Sequence, residues 1–495
     1  MRQIYSTASK VLIMTGPDVE APQATSELLD KIFQAILKGD FSYRDSDTYL
    51  LGEEYCSAWK GVCEIAGRSY WRRLWVIQEF FLANTGAWLC YGDKFCLVSI
   101  FFEAVAFIFQ DLQQARSALC AATGGASEDW LQNLSDVESF FYLDSFKHEG
   151  VAYPNILYLL DMGRKAKQFD PRDKVYGLLG MVEDKVHVLP DYRLSLSEVY
   201  RKFAEDVIKA TGSLSIIYQR AANRTAGPSW PSWVPDWSAS GVEDVADSIA
   251  ATAYVGTSAA GDSLHKFRVS DEPENLHCEG FMIDTVGQLA CSAKPNAEHS
   301  IHDACSRSPN PEAMSMYKDS ASVVRGFWNS LTLDQSVVKG EEAMDHLLNM
   351  PNLDGRYAST RVPFLHAIDR FQQCNRNLIV AQGTLSSHFP PWSQQYSELP
   401  SRSDITSTLG LLMVAMMYRR FMVTEKGRVG MVPHTTRLSG AIFILKGCNA
   451  PLILRPAGNE TYTVVGECYV DGAMHGEAME DLEAGRYRAT EIILC

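Results

Sequence analysis

The apolar residues of this chain come in runs of four or five, each closed by turn-forming residues. Val11-Leu12-Ile13-Met14 leads into Gly16-Pro17 and Ala87–Tyr91 into Gly92-Asp93, while Ala441–Leu445, Pro451–Leu454 and Tyr462–Val465 are separated by Gly- or Asn-containing turns. Runs this short suit strands and are too short for most buried helices. Where they alternate with helical stretches they predict an α/β layer; where they follow one another they predict a small antiparallel sheet or barrel. The chain shows both arrangements, at opposite ends.

In the first hundred residues Arg2–Ala8 reads as the end of a helix and Val11–Met14 as a buried strand. Helical stretches follow at Ser26–Leu37, Glu54–Ala66 and Trp71–Leu82, then a strand at Ala87–Tyr91. This pattern predicts a mostly parallel sheet. From about residue 97 to 220 the pattern turns helical. One helix is marked by Asp170-Pro171-Arg172-Asp173, with aspartate as N-cap, proline in the first turn and Val175, Leu178 and Leu179 on one face. Another runs from Ser195 to Lys209, after the Leu189-Pro190-Asp191-Tyr192 turn.

Residues 221–310 are rich in Ala, Ser, Gly and Asp and read as irregular, with some strand near His277–Val286 and a mobile loop at 287–312. A helix at Thr406–Phe421 leads into a hairpin over 422–431, with Gly427 where positive φ is needed. The expected divisions are 1–110, 111–240, 241–400 and 401–495.

Of the 495 residues, 46% are hydrophobic and 21% charged, as in an ordinary folded protein rather than a disordered one. The net charge of −15 argues against nucleic-acid binding as the main task. The longest apolar run, Leu409–Met417, is half the roughly 20 residues of a spanning helix, so no membrane span is expected. Met1-Arg2-Gln3-Ile4-Tyr5 does not read as a signal peptide, and the 12 cysteines include no C-x-x-C pair. A cytoplasmic protein with reduced thiols is expected. There is no G-x-x-x-x-G-K-[ST], G-x-G-x-x-G, H-E-x-x-H or G-x-S-x-G motif, so ATPase, dehydrogenase, zinc-protease and α/β-hydrolase readings lose their main support.

Four segments together carry a family resemblance. Tyr70-Trp71-Arg72-Arg73-Leu74-Trp75-Val76-Ile77-Gln78-Glu79 resembles the W-V-x-Q-E block of the fungal heterokaryon incompatibility (HET) domain, and Met1–Ala8 with Val11-Leu12-Ile13 resembles the block upstream of it. Asp170–Gly180 with Pro190-Asp191-Tyr192 is similar to the segment that follows the domain. Gly466–Gly472 with Gly476-Glu477-Ala478 is similar to the family's C-terminal signature, and Trp230–Trp237 is typical of these proteins. The family's opening aromatic-x-x-Leu-Ser-Tyr-x-Trp-Gly strand and Asp-x-x-Cys-Ile-Asn-Gln block are missing. The resemblance therefore implies an N-terminally truncated domain, through a misassigned start or as a degenerate copy. Its α/β sheet, distantly similar to Toll/interleukin-1 receptor (TIR) domains, would be incomplete and would expose a strand edge. A mostly helical region and a C-terminal antiparallel β-lobe would follow.

Some TIR domains cleave NAD with one glutamate, and the resemblance makes Glu79 the counterpart, with Trp75 and Arg72 shaping a nucleotide pocket. Arg72, Trp75, Val76 and Glu79 fall on one face of a helix at i, i+3, i+4 and i+7. A partly desolvated carboxylate beside an indole could serve an oxocarbenium-like cleavage or bind ribose hydroxyls. The plainer reading makes Glu79 an ion-pair or capping residue and Trp71 and Trp75 core. NAD would be a substrate, and no cofactor is expected.

The family role implied is non-self recognition after hyphal fusion, ending in growth arrest or programmed cell death. Partners would be an incompatibility protein, the chain itself, or both. A non-catalytic interaction module and an accessory or silent copy stay open. Other groupings have ordinary explanations. Asp170 and Asp173 are capping residues, and Trp230, Trp233 and Trp237 belong to a packed extended segment between lobes. Cys291, His299, His302 and Cys305 fit no usual zinc spacing, so no metal is expected. Glu467 and Asp471 read as turn and surface residues.

Overall fold

The computed structural model describes residues 2–39, 50, 53–83, 86–110, 137, 140, 143, 144, 147, 155–182, 186–219, 230–238, 257–263, 266–270, 274–291, 305–306, 316–333, 375–389 and 419–495. The chain divides into two compact units, Met1–Pro190 and Asp191–Cys495.

The first unit runs α1 (Arg2–Thr7), β1 (Val11–Met14), α2 (Pro22–Leu37), α3 (Cys56–Ala66), a 3-10 turn (Ser69–Arg72), α4 (Leu74–Phe81), β2 (Ala87–Tyr91), β3 (Lys94–Leu97), α5 (Val98–Gln110), α6 (Ile156–Lys165) and α7 (Asp173–Tyr176). β1 and β2 are parallel, with Val11 opposite Ala87 and Met14 opposite Cys90. The chain then reverses over Gly92-Asp93, where Gly92 sits at φ +58°, and β3 returns antiparallel to β2. The sheet is therefore mixed rather than mostly parallel, because a two-residue loop with a positive-φ glycine closes a hairpin.

Nor is β1 a buried strand. Val11 and Ile13 face the core while Leu12 and Met14 are 59% and 63% exposed. The core lies on the other side, where Ile13 and Leu89 join Leu28, Leu29 and Ile32 of α2, Trp59 and Val62 of α3, and Phe101 and Phe102 of α5. Trp71 stacks on Phe101 at 5.6 Å between ring centres.

In the second unit α8 (Leu196–Thr211) starts with a reciprocal capping box between Ser195 and Glu198 and ends at a left-handed Gly212. The strands are β4 (Phe267–Val269), β5 (Leu276–Leu289), β6 (Cys305–Ser306), β7 (Ile379–Val380), β8 (Gly383–Thr384), β9 (Arg419–Thr424), β10 (Val429–Pro433), β11 (Ala441–Leu445), β12 (Leu452–Gly458), β13 (Thr461–Glu467), β14 (Tyr469–Val470) and β15 (Thr490–Leu494); the helices are α9 (Ser320–Thr332) and α10 (Glu477–Glu483). β5, β11, β12, β13 and β15 pair in a closed ring, which β9, β10 and β14 extend from β5. Inside lie Phe281, Ile283, Met422, Ile442, Ile444, Ile453 and Val465. The expected β-lobe is thus a barrel whose long strand, β5, comes from far upstream.

The hairpin over Thr424–Arg428 forms as expected, with Gly427 at φ +81°. Residues 419–421, expected to end a helix, open β9 instead; residues 406–418 lie outside those described. The Trp230–Trp237 segment is packed within the second unit. Trp233 and Trp237 are fully buried, and the Trp237 indole donates to Gln219 Oε1 at 2.8 Å.

Glu467 and Asp471 are not surface residues. Glu467 is buried against Arg419 in an ion pair in which both side chains are almost wholly inaccessible. Burial pushes the Glu467 carboxyl above its ordinary range, while the Arg419 charge opposes the shift. Asp471 accepts from the Tyr317 hydroxyl at 2.9 Å and Asn329 Nδ2 at 3.2 Å, fixing α9 to the turn after β14.

Breaking a buried pair on one side strands a charge. Glu467→Leu is expected to destabilise the second unit by about 3–5 kcal/mol in chemical denaturation, and Arg419→Met/Glu467→Leu to recover most of the loss. Ser195→Ala is expected to cost about 1 kcal/mol in the same measurement.

Candidate functional site

The helix expected over Trp71–Leu82 is interrupted. Arg73 is extended, at φ −85° and ψ 129°, and pairs as a β-bridge with Lys167. Lys167 N donates to Arg72 O, and Leu74 N donates to Lys167 O at 3.1 Å. Cross-strand bonds at one residue replace the helical bonds there, so α4 begins only at Leu74. Trp75 and Glu79 remain one turn apart on α4, both half-buried. Arg72 belongs to the preceding 3-10 turn, so the spacing read as a single helical face does not hold for it.

Glu79 meets phenols. The Tyr70 hydroxyl donates to its carboxylate at 3.2 Å, and Tyr5 of α1 hydrogen-bonds to it as well. Burial and the Glu79 charge hold both phenols above their ordinary range, and Arg73 partly offsets this.

The neighbouring residue on α4 carries a different contact. Gln78 is buried, and its Nε2 donates to Gly177 O, just after α7. A Cβ on Gly177 would stand 2.8 Å from both Asp173 O and Leu74 Cδ2, and one on Gly180 would stand 2.9 Å from Gln78 Oε1. The two glycines are needed because α4 comes so close. α7 ends after one turn, where Leu178 N turns back to Val175 O in place of a helical bond, so the longer helix expected from Asp170 onward does not form. Asp170 still turns the chain, accepting from Arg172 N at 2.9 Å and from its guanidinium at 2.9 and 2.7 Å; these contacts draw its carboxyl below the ordinary range.

Lys174, at 1% exposure, closes the other side. Its Nζ donates to Gly163 O and Arg164 O at 2.7 Å and Ala166 O at 2.5 Å, capping the carbonyls at the end of α6. Burial, with Arg164 nearby, pushes its pKa down to about 7. The sequence offered no sign of this role. Lysine at a helix start reads as surface, and its acceptors lie 8 to 11 residues upstream.

In the second unit a groove of 410 Å³ crosses the outer face of β4, β5 and β15, lined by Lys266, Arg268, His277, Glu279 and Glu491 among others. Several of its charges are paired. Arg268 Nη2 lies 2.8 Å from His277 Nδ1 and 3.2 Å from Glu491, and Lys446 pairs with Glu279 at 2.5 Å. The residues come from two neighbouring stretches and a third more than 200 residues further on, which is why sequence reading did not group them. Among the described residues no cluster of His, Cys, Asp or Glu could hold a metal. His299 and His302 lie outside those residues, and Cys291 Sγ accepts from Asn375 Nδ2 at 3.2 Å. Much of the 287–312 loop also lies outside them. No described helix is long and apolar enough to cross a membrane.

Residues 399–487 match the family described as the Het-6 beta-barrel domain. This stretch holds β9 to β14, whereas β5 and β15, which close the ring, lie outside it. The chain is also similar to "Heterokaryon incompatibility protein 6, OR allele" of Neurospora crassa, at 24% identity over 568 aligned positions that cover 98% of this chain and 78% of that protein. No solved structure matches. Both matches lead to the family that the four sequence segments resemble.

Gln78→Leu is expected to destabilise the first unit by about 1–3 kcal/mol by leaving the Gly177 carbonyl unpaired, and Gly177→Ala by a similar amount through overpacking, both read by urea denaturation. Between about 7 and 10.5 the unfolded state holds the Lys174 proton more tightly than the folded state, so this group's contribution to stability rises with pH. The stability of the wild type relative to Lys174→Met should therefore increase from pH 7 to about pH 9.5. A flat difference would show that Lys174 does not titrate there.

Proposed function

We infer that this chain is a heterokaryon incompatibility protein that recognises non-self after hyphal fusion in a filamentous fungus and answers it with growth arrest or programmed cell death in the cytoplasm. The supporting observation is similarity over 98% of the chain to an incompatibility protein, joined to a Het-6 barrel match.

Geometry favours action through protein association. Gln78, Lys174, Gly177 and Gly180, from the segments most typical of the family, join α4 to the Asp170–Gly180 turn. Glu79 is engaged by Tyr70 and Tyr5. In this reading the first unit is a rigid module presented to an incompatibility partner, to a second copy, or to both.

A second reading, NAD cleavage in a TIR-like domain, is favoured by Glu79 being a half-buried carboxylate flanked by two phenols, with Trp75 one turn away. Glu79 would face the ribose and stabilise positive charge as the bond to nicotinamide breaks and water adds. Arg72, set off by the extended Arg73, would contribute least.

Expressing the wild type and Glu79→Gln in a fungal host, with NAD and viability followed together, separates these readings. Association predicts that killing persists in the variant without NAD loss. Catalysis predicts that NAD falls with the wild type alone, at unchanged melting temperature. If the wild type produces no growth phenotype when paired with incompatible strains, the incompatibility role itself fails and the chain is a silent copy.

A further inference from the structure

Among the described residues, the helices of the first unit pack on the face of its three-stranded sheet that carries Val11, Ile13, Ala87 and Leu89. Strand register places Leu12, Trp88 and Leu97 in one row on the opposite face, and Met14, Cys90 and Phe95 in the next. All six are uncharged and apolar. Leu12, Met14 and Phe95 are 59%, 63% and 64% exposed, and Trp88 meets Phe95 edge-on at 5.6 Å. Among the described residues the other large exposed hydrophobic side chains, Phe169 and Leu189 included, lie outside this sheet, whereas Leu12, Met14 and Phe95 gather on its one face.

We propose that this face is a homodimer interface, on which a second copy of the chain packs sheet to sheet across a two-fold axis. The six side chains expose on the order of 500 Å² of apolar surface, at the upper end of the largest patch found on a typical monomer. Covering it on two copies removes on the order of 1,000 Å², the lower limit for a specific interface, before any rim is counted. A neutral apolar face is complementary to itself. No like charges oppose one another when it meets its own copy, which suits an isologous pairing, whereas a charged partner would find nothing to pair with among these six residues. Alternating Leu, Met, Phe and Trp from two such faces would interdigitate as the inner layer of a β-sandwich. The inference does not depend on the chemistry of Glu79, which lies on α4.

The test is the mass of the full chain in solution, by sedimentation equilibrium from nanomolar to tens of micromolar, for the wild type and for Leu12→Gln/Met14→Gln/Phe95→Thr. These positions are exposed, so the variant should keep the wild-type circular dichroism spectrum. The expected result is a concentration-dependent wild-type dimer whose dissociation constant rises on the order of a hundredfold in the variant. Conservative Leu12→Ile should leave the dimer intact, which separates loss of interface from loss of fold. A wild type that stays monomeric throughout, or a dimer that the folded triple variant leaves unchanged, overturns the proposal.

Discussion

Strand β5 sets the constraint on which the second unit depends. Its fourteen residues must find backbone partners along both edges, since most of its length is buried. One edge is taken by β15 and then β9, the other by β4, β11 and β6 in turn. One strand bonded to five others must bend. Gly280 and Gly287 sit where a Cβ would come within 2.6 Å of Ile444 O and 3.2 Å of Glu425 N, so the neighbouring backbones approach where a side chain would keep them apart. Register shifts between Val286 and Gln288 and between Ile442 and Phe443 complete the curvature. Closure follows when β11 bonds both β12 and β5.

Both units also bury charge, in different ways. Arg419 and Glu467 neutralise each other between the start of β9 and the end of β13, so each pins the other strand's position. Lys174 pairs with no carboxylate among the described residues; it donates hydrogen bonds to three carbonyls at the end of α6 instead. The first arrangement depends on a partner charge and the second on carbonyl dipoles alone, which leave burial and the Arg164 charge to depress the Lys174 pKa.

The turn chemistry was legible. Ser195 with Glu198, Gly212, Gly427 and the apolar runs at Ala441–Leu445 and Tyr462–Val465 form the caps, turn and strands that their local preferences dictate. The four segments that carry the family resemblance were legible too, because they are contiguous. Local signals misled wherever a distant group competed for the same backbone. Lys167 takes the carbonyl and amide around Arg73 and splits a helix. Gln78, 99 residues away, takes the Gly177 carbonyl just past the end of another. Hence Arg72 parts from Glu79, while Gln78, which no motif singled out, becomes the link.

What this sequence determined by itself is an α/β start, a β-rich end and the turns of each, since those features depend on residues within a few positions of one another. Only the tertiary structure decided that β5 closes the barrel, that Glu467 is buried on Arg419, that Glu79 faces Tyr5 and Tyr70, and that Leu12, Met14 and Phe95 share one face of their sheet. Each of those outcomes rests on contacts between residues remote in the chain, and hydrophobic period or capping preference carries no information about which remote partner will arrive.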